Sequence, residues 1–103
     1  MEITFHFPPK ELNPNRRLHW AAKAKFAKAY RLECFIIARE AKAAVDWDGD
    51  IHLFIDFWPP DKRARDDDNT AASFKSGRDG LADALGVDDV RFRTHPYLHR
   101  MPY

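Results

Sequence analysis

The sequence predicts an α+β fold, a small mixed sheet of three or more strands with two helices packed on it, and three observations lead there. From Ile51 to Trp58 the residues alternate in strand period, with Ile51, Leu53, Ile55 and Phe57 on one side and His52, Phe54, Asp56 and Trp58 on the other, a face expected to be partly covered too. Leu18 to Ala44 is rich in Ala, Lys, Arg and Glu and holds no Gly or Pro, the composition of a long helix. Ala71, Phe74, Arg78, Leu81, Ala82 and Leu85 recur at helical spacing and stop at Gly86, a natural C-terminal cap.

The elements follow in chain order. Glu2 to Phe7 alternates Ile3, Phe5 and Phe7 with Glu2, Thr4 and His6 and ends at Pro8-Pro9, so a first strand is expected near residues 2–7, with His6 on its polar side. Asn13-Pro14-Asn15 marks a loop whose tip carries Arg16 and Arg17. On the long helix, Trp20, Phe26, Ala27, Tyr30, Cys34, Ile37, Ala38, Ala41 and Val45 gather on one face that should pack on the sheet. Leu32, Phe35 and Ile36 fall outside that stripe and call for a cover, for which a symmetric partner is the economical choice. The second strand, near 51–58, runs into Pro59-Pro60, and a third is expected near 89–95.

With 103 residues, 45% of them hydrophobic, the chain is read as one domain, 1–103, with a single core. Its one cysteine, Cys34, rules out an intrachain disulfide and a multi-cysteine zinc site, and it reads as a small core residue. No apolar leader and no run long enough to span a bilayer is present, so the expectation is a cytoplasmic protein without a membrane. The net charge is only +1, but cations dominate between Lys10 and Lys42 and aspartates from Asp46 onward. A basic half facing an acidic loop suits a polyanionic substrate and a metal-assisted reaction.

The acidic loop itself is Arg65-Asp66-Asp67-Asp68-Asn69, preceded by Lys62 and Arg63. Adjacent carboxylates repel unless a cation or bulk water screens them. An extended backbone would project Asp66 and Asp68 to one side and Asp67 away, while Asp68 stands where a helix N-cap is expected. Lys75, two turns beyond Asp68, can lean back toward the carboxylates or pair with Asp79. A second acidic pair, Asp88-Asp89, could supply a third oxygen ligand of the kind magnesium prefers. The loop lacks the glycine and terminal glutamate of an EF-hand, and a zinc site on His95 and His99 is opposed by the intervening Pro96.

The run Pro60-Asp61-Lys62-Arg63-Ala64-Arg65-Asp66-Asp67-Asp68-Asn69, then Lys75 with Asp79-Gly80-Leu81, then Gly86-Val87-Asp88-Asp89, resembles the RusA family of Holliday junction resolvases of phages and prophages. The N-terminal apolar alternation, Pro8-Pro9, the Asn/Arg loop and the long basic helix are similar too, so the resemblance covers nearly the whole chain. It implies a homodimeric, Mg²⁺-dependent endonuclease acting in DNA recombination and repair, which cuts four-way DNA junctions by paired symmetric nicks. Residue by residue it implies Asp66, Asp68 and Asp89 as catalytic metal ligands and Lys75 as the essential lysine. Arg65 matches the motif arginine at the site's edge, and Lys75 lies about one helical turn later than the pattern has it. Arg16, Arg17, Lys62 and Arg63 are expected to position branched DNA through its phosphates. Two other readings share parts of this sequence: a DNA-binding module that does not cut, and a metal-dependent nuclease for flaps or single strands.

Overall fold

The computed structural model describes residues 1–101. A 3₁₀ turn at Lys10–Leu12 leads to the long helix α1 (Trp20–Glu40), then strand β1 (Ile51–Phe57), helices α2 (Asp67–Ser73) and α3 (Lys75–Leu85), a second 3₁₀ turn (Asp89–Arg91) and strand β2 (Phe92–Leu98). The fold is α+β, but the expected sheet of three or more strands with two helices is not what forms. The described residues hold a two-stranded parallel sheet and three α-helices. Ile51 pairs with Phe92 at one end and Phe57 with Leu98 at the other, and α2 and α3 make the crossover between the strands.

Each departure has a local cause. Residues 2–7 keep their alternation in burial, with Ile3, Phe5 and Phe7 turned inward, yet they join no ladder. These side chains pack on the two core clusters, and the Tyr30 hydroxyl donates to the His6 carbonyl at 2.6 Å. Alternation records one-sided burial here, without strand pairing. The helix expected after the acidic loop is broken at Phe74, whose ring is buried and meets Tyr30, Phe57 and Phe5. Just before the break, Thr70 Oγ1 donates to the Asp66 carbonyl at 2.9 Å and Ser73 Oγ to the Thr70 carbonyl at 2.6 Å, local bonds that favour bending. The third expected strand starts later than residue 89, because the Asp88 carboxylate accepts from Val90 N–H at 2.9 Å and winds a 3₁₀ turn first. Pro96 is tolerated inside β2 because, among the described residues, that strand has a neighbour on one side only.

Helix α1 is capped by His19, whose ring accepts from Ala21 N–H. It ends at Lys42 in the left-handed region (φ 59°), with Ala43 N–H reaching back to the Ala38 carbonyl. Tyr30, Cys34 and Ala38 are its buried stripe, whereas Trp20 and Phe26, expected in the core, are exposed. Helix α3 lies against α1 so closely that Gly80 faces the Arg31 carbonyl directly. One core cluster joins Leu12, Tyr30, Cys34, Phe74, Phe57 and Leu98 at the carboxyl end of the strands. The other joins Ala38, Leu81, Ala82, Ala84, Ile51 and Phe92 at the amino end. The sheet's opposite face, expected to be partly covered, is exposed instead, with His52, Phe54 and Asp56 on β1 and Arg93, His95 and Tyr97 on β2, because α1 and α3 pack on the other side.

Candidate functional site

Parallel strands put both carboxyl ends on one side of the sheet, where α/β architectures bind ligands. Here that side carries the loop from Trp58 to Asp66, the first turn of α2, and His99 and Arg100 beyond β2. Asp61 organises the loop. Its carboxylate accepts from Arg63 N–H at 3.0 Å and pairs with the guanidinium groups of Arg65 at 3.0 Å and Arg63 at 3.7 Å. The hydrogen bond from Arg65, then the Arg63 amide, holds the Asp61 carboxyl below the usual carboxylate range. Arg65 also donates to the carbonyls of Asp61 and Arg63 and lies over the Phe7 ring at 5.4 Å. Its guanidinium therefore fastens the loop to the N-terminal segment. Lys62 and Arg63 are exposed.

The three consecutive aspartates divide their work differently from the extended-backbone expectation. Asp66, not Asp68, is the N-cap of α2, accepting from Asn69 N–H at 3.0 Å. Asp67 and Asp68 are already helical and line one open cleft of about 310 Å³ with Pro96, Tyr97 and Arg100. Asp67, expected to point away, pairs with Arg100 at 3.3 Å. A second cleft of about 210 Å³ is lined by Lys62, Arg63, Arg65, His99 and Arg100. Arg100 borders both, so an acidic and a basic cleft share one wall.

Asp89 stands elsewhere. It precedes Phe92, which pairs with Ile51 at the amino end of the sheet, and a seven-residue strand is about 20 Å long. Its carboxylate lies 3.7 Å from Arg78, which also donates to the Asp89 carbonyl at 3.2 Å. Lys75 pairs with Asp79 at 3.6 Å, one turn along α3. Arg16 and Arg17 are exposed in the loop before α1. Among the described residues no three His, Cys, Asp or Glu side chains are grouped to share a metal ion. Asp68 lines the acidic cleft, whereas Asp66 lines neither cleft and gives one carboxylate oxygen to the cap; both are hard oxygen donors of the kind Mg²⁺ takes one or two at a time beside substrate phosphates. Asp89 is not placed with them.

Sequence reasoning passed over the end of β2. His99 Nε2 lies 3.0 Å from Asp56 Oδ1, its ring stacks on Trp58 at 3.5 Å, and its backbone N–H donates to the Phe57 carbonyl at 3.0 Å. His95 bonds His52 at 2.8 Å, so the two histidines weighed as a zinc pair have separate partners. The strand period of two would have put His95, Tyr97 and His99 on one face, but only the register brings Asp56 beside them.

Comparison with known proteins finds a relative in an uncharacterized protein of Xylella fastidiosa (strain Temecula1 / ATCC 700964), 42% identical over 99 residues. The match covers 93% of this chain and 65% of the relative, so the chain spans a little under two thirds of that protein's length. No protein-family profile and no solved structure matches the chain. No helix among the described residues is long and apolar enough to cross a membrane.

Proposed function

We propose that the chain is a magnesium-dependent endonuclease of branched DNA, acting as a homodimer that resolves four-way junctions by paired symmetric nicks. The observation that supports this most is the shared wall: carboxylates at the start of α2 adjoin a cleft rimmed by Lys62, Arg63 and Arg100 at the carboxyl ends of both strands. The cations bind and orient the phosphates of a DNA arm, and Arg65 keeps their loop in place. Asp66 and Asp68 would hold the ion, which when bound neutralises charge at the scissile phosphate and favours deprotonation of water. Lys75, which pairs with Asp79 and lines neither cleft, would in this reading stabilise the charge developing on the phosphate.

One observation favours the non-cutting DNA-binding module: Asp89, the third ligand that the resemblance implies, sits at the other end of the sheet beside Arg78. Asp68→Asn separates the two readings. The α2 cap belongs to Asp66, so this change removes a charge and a strong oxygen ligand while leaving the cap intact. Gel-shift titrations in chelator and cleavage time courses in Mg²⁺ are run on the same junction. The expected result is metal-free binding at least as tight as wild type, with turnover lower by orders of magnitude. Lys62→Ala with Arg63→Ala should instead weaken binding and lower its salt slope by about 1 for each phosphate no longer neutralised. A folded Asp68→Asn protein cutting at the wild-type rate removes this stretch from the catalytic assignment.

A further inference from the structure

We propose that His99, oriented by Asp56, is the proton-transfer group of a phosphodiester site in the basic cleft between the Trp58–Asp66 loop and the end of β2. The substrate class rests on the nuclease reading above; the side-chain arrangement does not.

Three independent interactions fix His99. Its backbone N–H extends the parallel ladder to the Phe57 carbonyl, its ring lies flat on Trp58 with an interplanar angle of 6°, and Nε2 meets Asp56 Oδ1 at 3.0 Å. A surface histidine held only for solubility has no need of such restraint, and a ring fixed on its face and at one nitrogen has a single orientation left. A carboxylate only accepts hydrogen bonds, so Asp56 selects, for the neutral ring, the tautomer with its proton on Nε2 and the lone pair on Nδ1. This base-and-orienter pair is the arrangement by which a carboxylate prepares an imidazole for proton transfer. The ring is also placed for such work. His99 lines the same cleft as Lys62, Arg63 and Arg100, with its side chain 24% exposed, so an anion drawn in by the cations meets it. The other titratable groups facing it are Tyr97, whose ring centroid is 4.7 Å away, and Arg65 in the same cleft wall, while Arg100 is paired with Asp67.

The step balances without an oxidant or a reductant. Water attacks phosphorus, its lone pair forming the new P–O bond, and the proton it loses goes to Nδ1 of His99. The P–O3′ bond breaks with its electron pair on the 3′ oxygen, which takes a proton from solvent. His99 then releases its extra proton to solvent. His99 is the catalytic residue in this step and Asp56 its positioning residue.

The test combines ring nitrogen NMR of the metal-free protein with pH–rate profiles of junction cleavage in Mg²⁺ for wild type, His99→Gln and Asp56→Asn. The expected spectrum shows wild-type His99 with its proton on Nε2, and Asp56→Asn shifts the population toward the other tautomer. His99→Gln should cut roughly a hundredfold slower or worse, within the usual range for losing a general base, with junction affinity unchanged and the acidic limb of the profile gone. Asp56→Asn should show a smaller fall and a displaced acidic limb. Should His99→Gln fail to fold, Asp56→Asn decides alone, because the exposed Asp56 side chain carries no packing role. A His99→Gln enzyme with the wild-type rate and an intact acidic limb overturns the proposal and leaves the nuclease standing, as does a wild-type ring protonated on Nδ1. A wild-type protein that cuts no junction at any pH removes the nuclease reading, and this one with it.

Discussion

Gly80→Ala should cost this protein stability even though alanine is the better helix former. A methyl group built on Gly80 would lie 2.2 Å from the Arg31 carbonyl oxygen and 3.1 Å from both the Arg31 carbonyl carbon and the Phe35 nitrogen. An ordinary carbon-to-oxygen separation is about 3.3 Å or longer, so the overlap is roughly 1 Å. The obstructing atoms are backbone of α1 and no rotamer change relieves them, so the two helices must separate along their packed length. Overpacking of this kind typically costs about 1–3 kcal/mol, and rigid neighbours put Gly80 at the upper end. Alanine returns about 1 kcal/mol in helix propensity, which leaves a net loss of about 2 kcal/mol. For a domain of this size that is a fall of roughly 8–16 °C in Tm, read by circular dichroism at 222 nm. Gly86→Ala is the control: nothing lies within 4 Å of its added methyl, and its φ of 67° costs about 1–2 kcal/mol through the backbone alone. A Gly80→Ala protein as stable as wild type, or more so, would refute the close approach of α1 and α3.

The buried Cys34 thiol, pushed up to about 11 chiefly by burial, should resist iodoacetamide at about pH 8 in the folded protein and react once urea unfolds it; prompt labelling of native protein would contradict its place in the core. Arg31 grips Asp83 from α1 to α3 with two hydrogen bonds of 2.7 and 2.9 Å, and that grip holds the Asp83 carboxyl below its usual range. A carboxylate with a depressed folded-state pKa adds stability above its unfolded-state value and loses it as pH falls through the folded one. Asp83→Asn should thus lower the urea midpoint near neutrality, by the equivalent of about 0.2–1 kcal/mol for so exposed a pair, and match wild type once the carboxyl is protonated in strong acid. A gap between the two proteins that persists in acid would point to packing instead of charge.

Elements that depend on short-range pattern were legible in the sequence. Helix α1 and strand β1 lie within a few residues of expectation, and Gly86 stops α3 in the left-handed region as its position suggests. Residues 2–7 alternate without pairing, because alternation reports which side chains are buried and says nothing of hydrogen-bond partners. Lys42 ends α1 with a lysine at positive φ, a position that composition would assign to glycine or asparagine. Among Asp66, Asp67 and Asp68 every residue is a good cap, and only the backbone path off β1 selects Asp66. The site was less legible for one reason: strand register is a long-range property. It sets Asp89 at the opposite end from Asp66, and it joins Asp56 to His99 across 43 positions of chain.

The dimer that paired nicking needs has its own test on α1. The sequence suggested that Leu32, Phe35 and Ile36 lack a cover, but Phe35 packs against the core cluster that includes Leu81, with Arg39 over its ring at 5.8 Å. Leu32 and Ile36 stay 57% and 44% exposed, one turn apart on the same face, with Ala29 exposed a turn before them. A twofold axis would set this short stripe against its own copy, because the same patch must serve both subunits. Leu32→Glu then places two like charges across the axis in a desolvated interface, whereas Phe35→Glu would damage the monomer's core and confuse the result. Light scattering behind size exclusion is expected to give twice the chain mass for wild type and the single-chain mass for Leu32→Glu, with unchanged helical signal. Junction cleavage by the monomeric variant should lose its paired character and leave singly nicked product. A Leu32→Glu protein that keeps the double mass excludes this stripe from the interface, and a wild-type protein of single-chain mass on and off DNA denies the symmetry on which paired nicking depends.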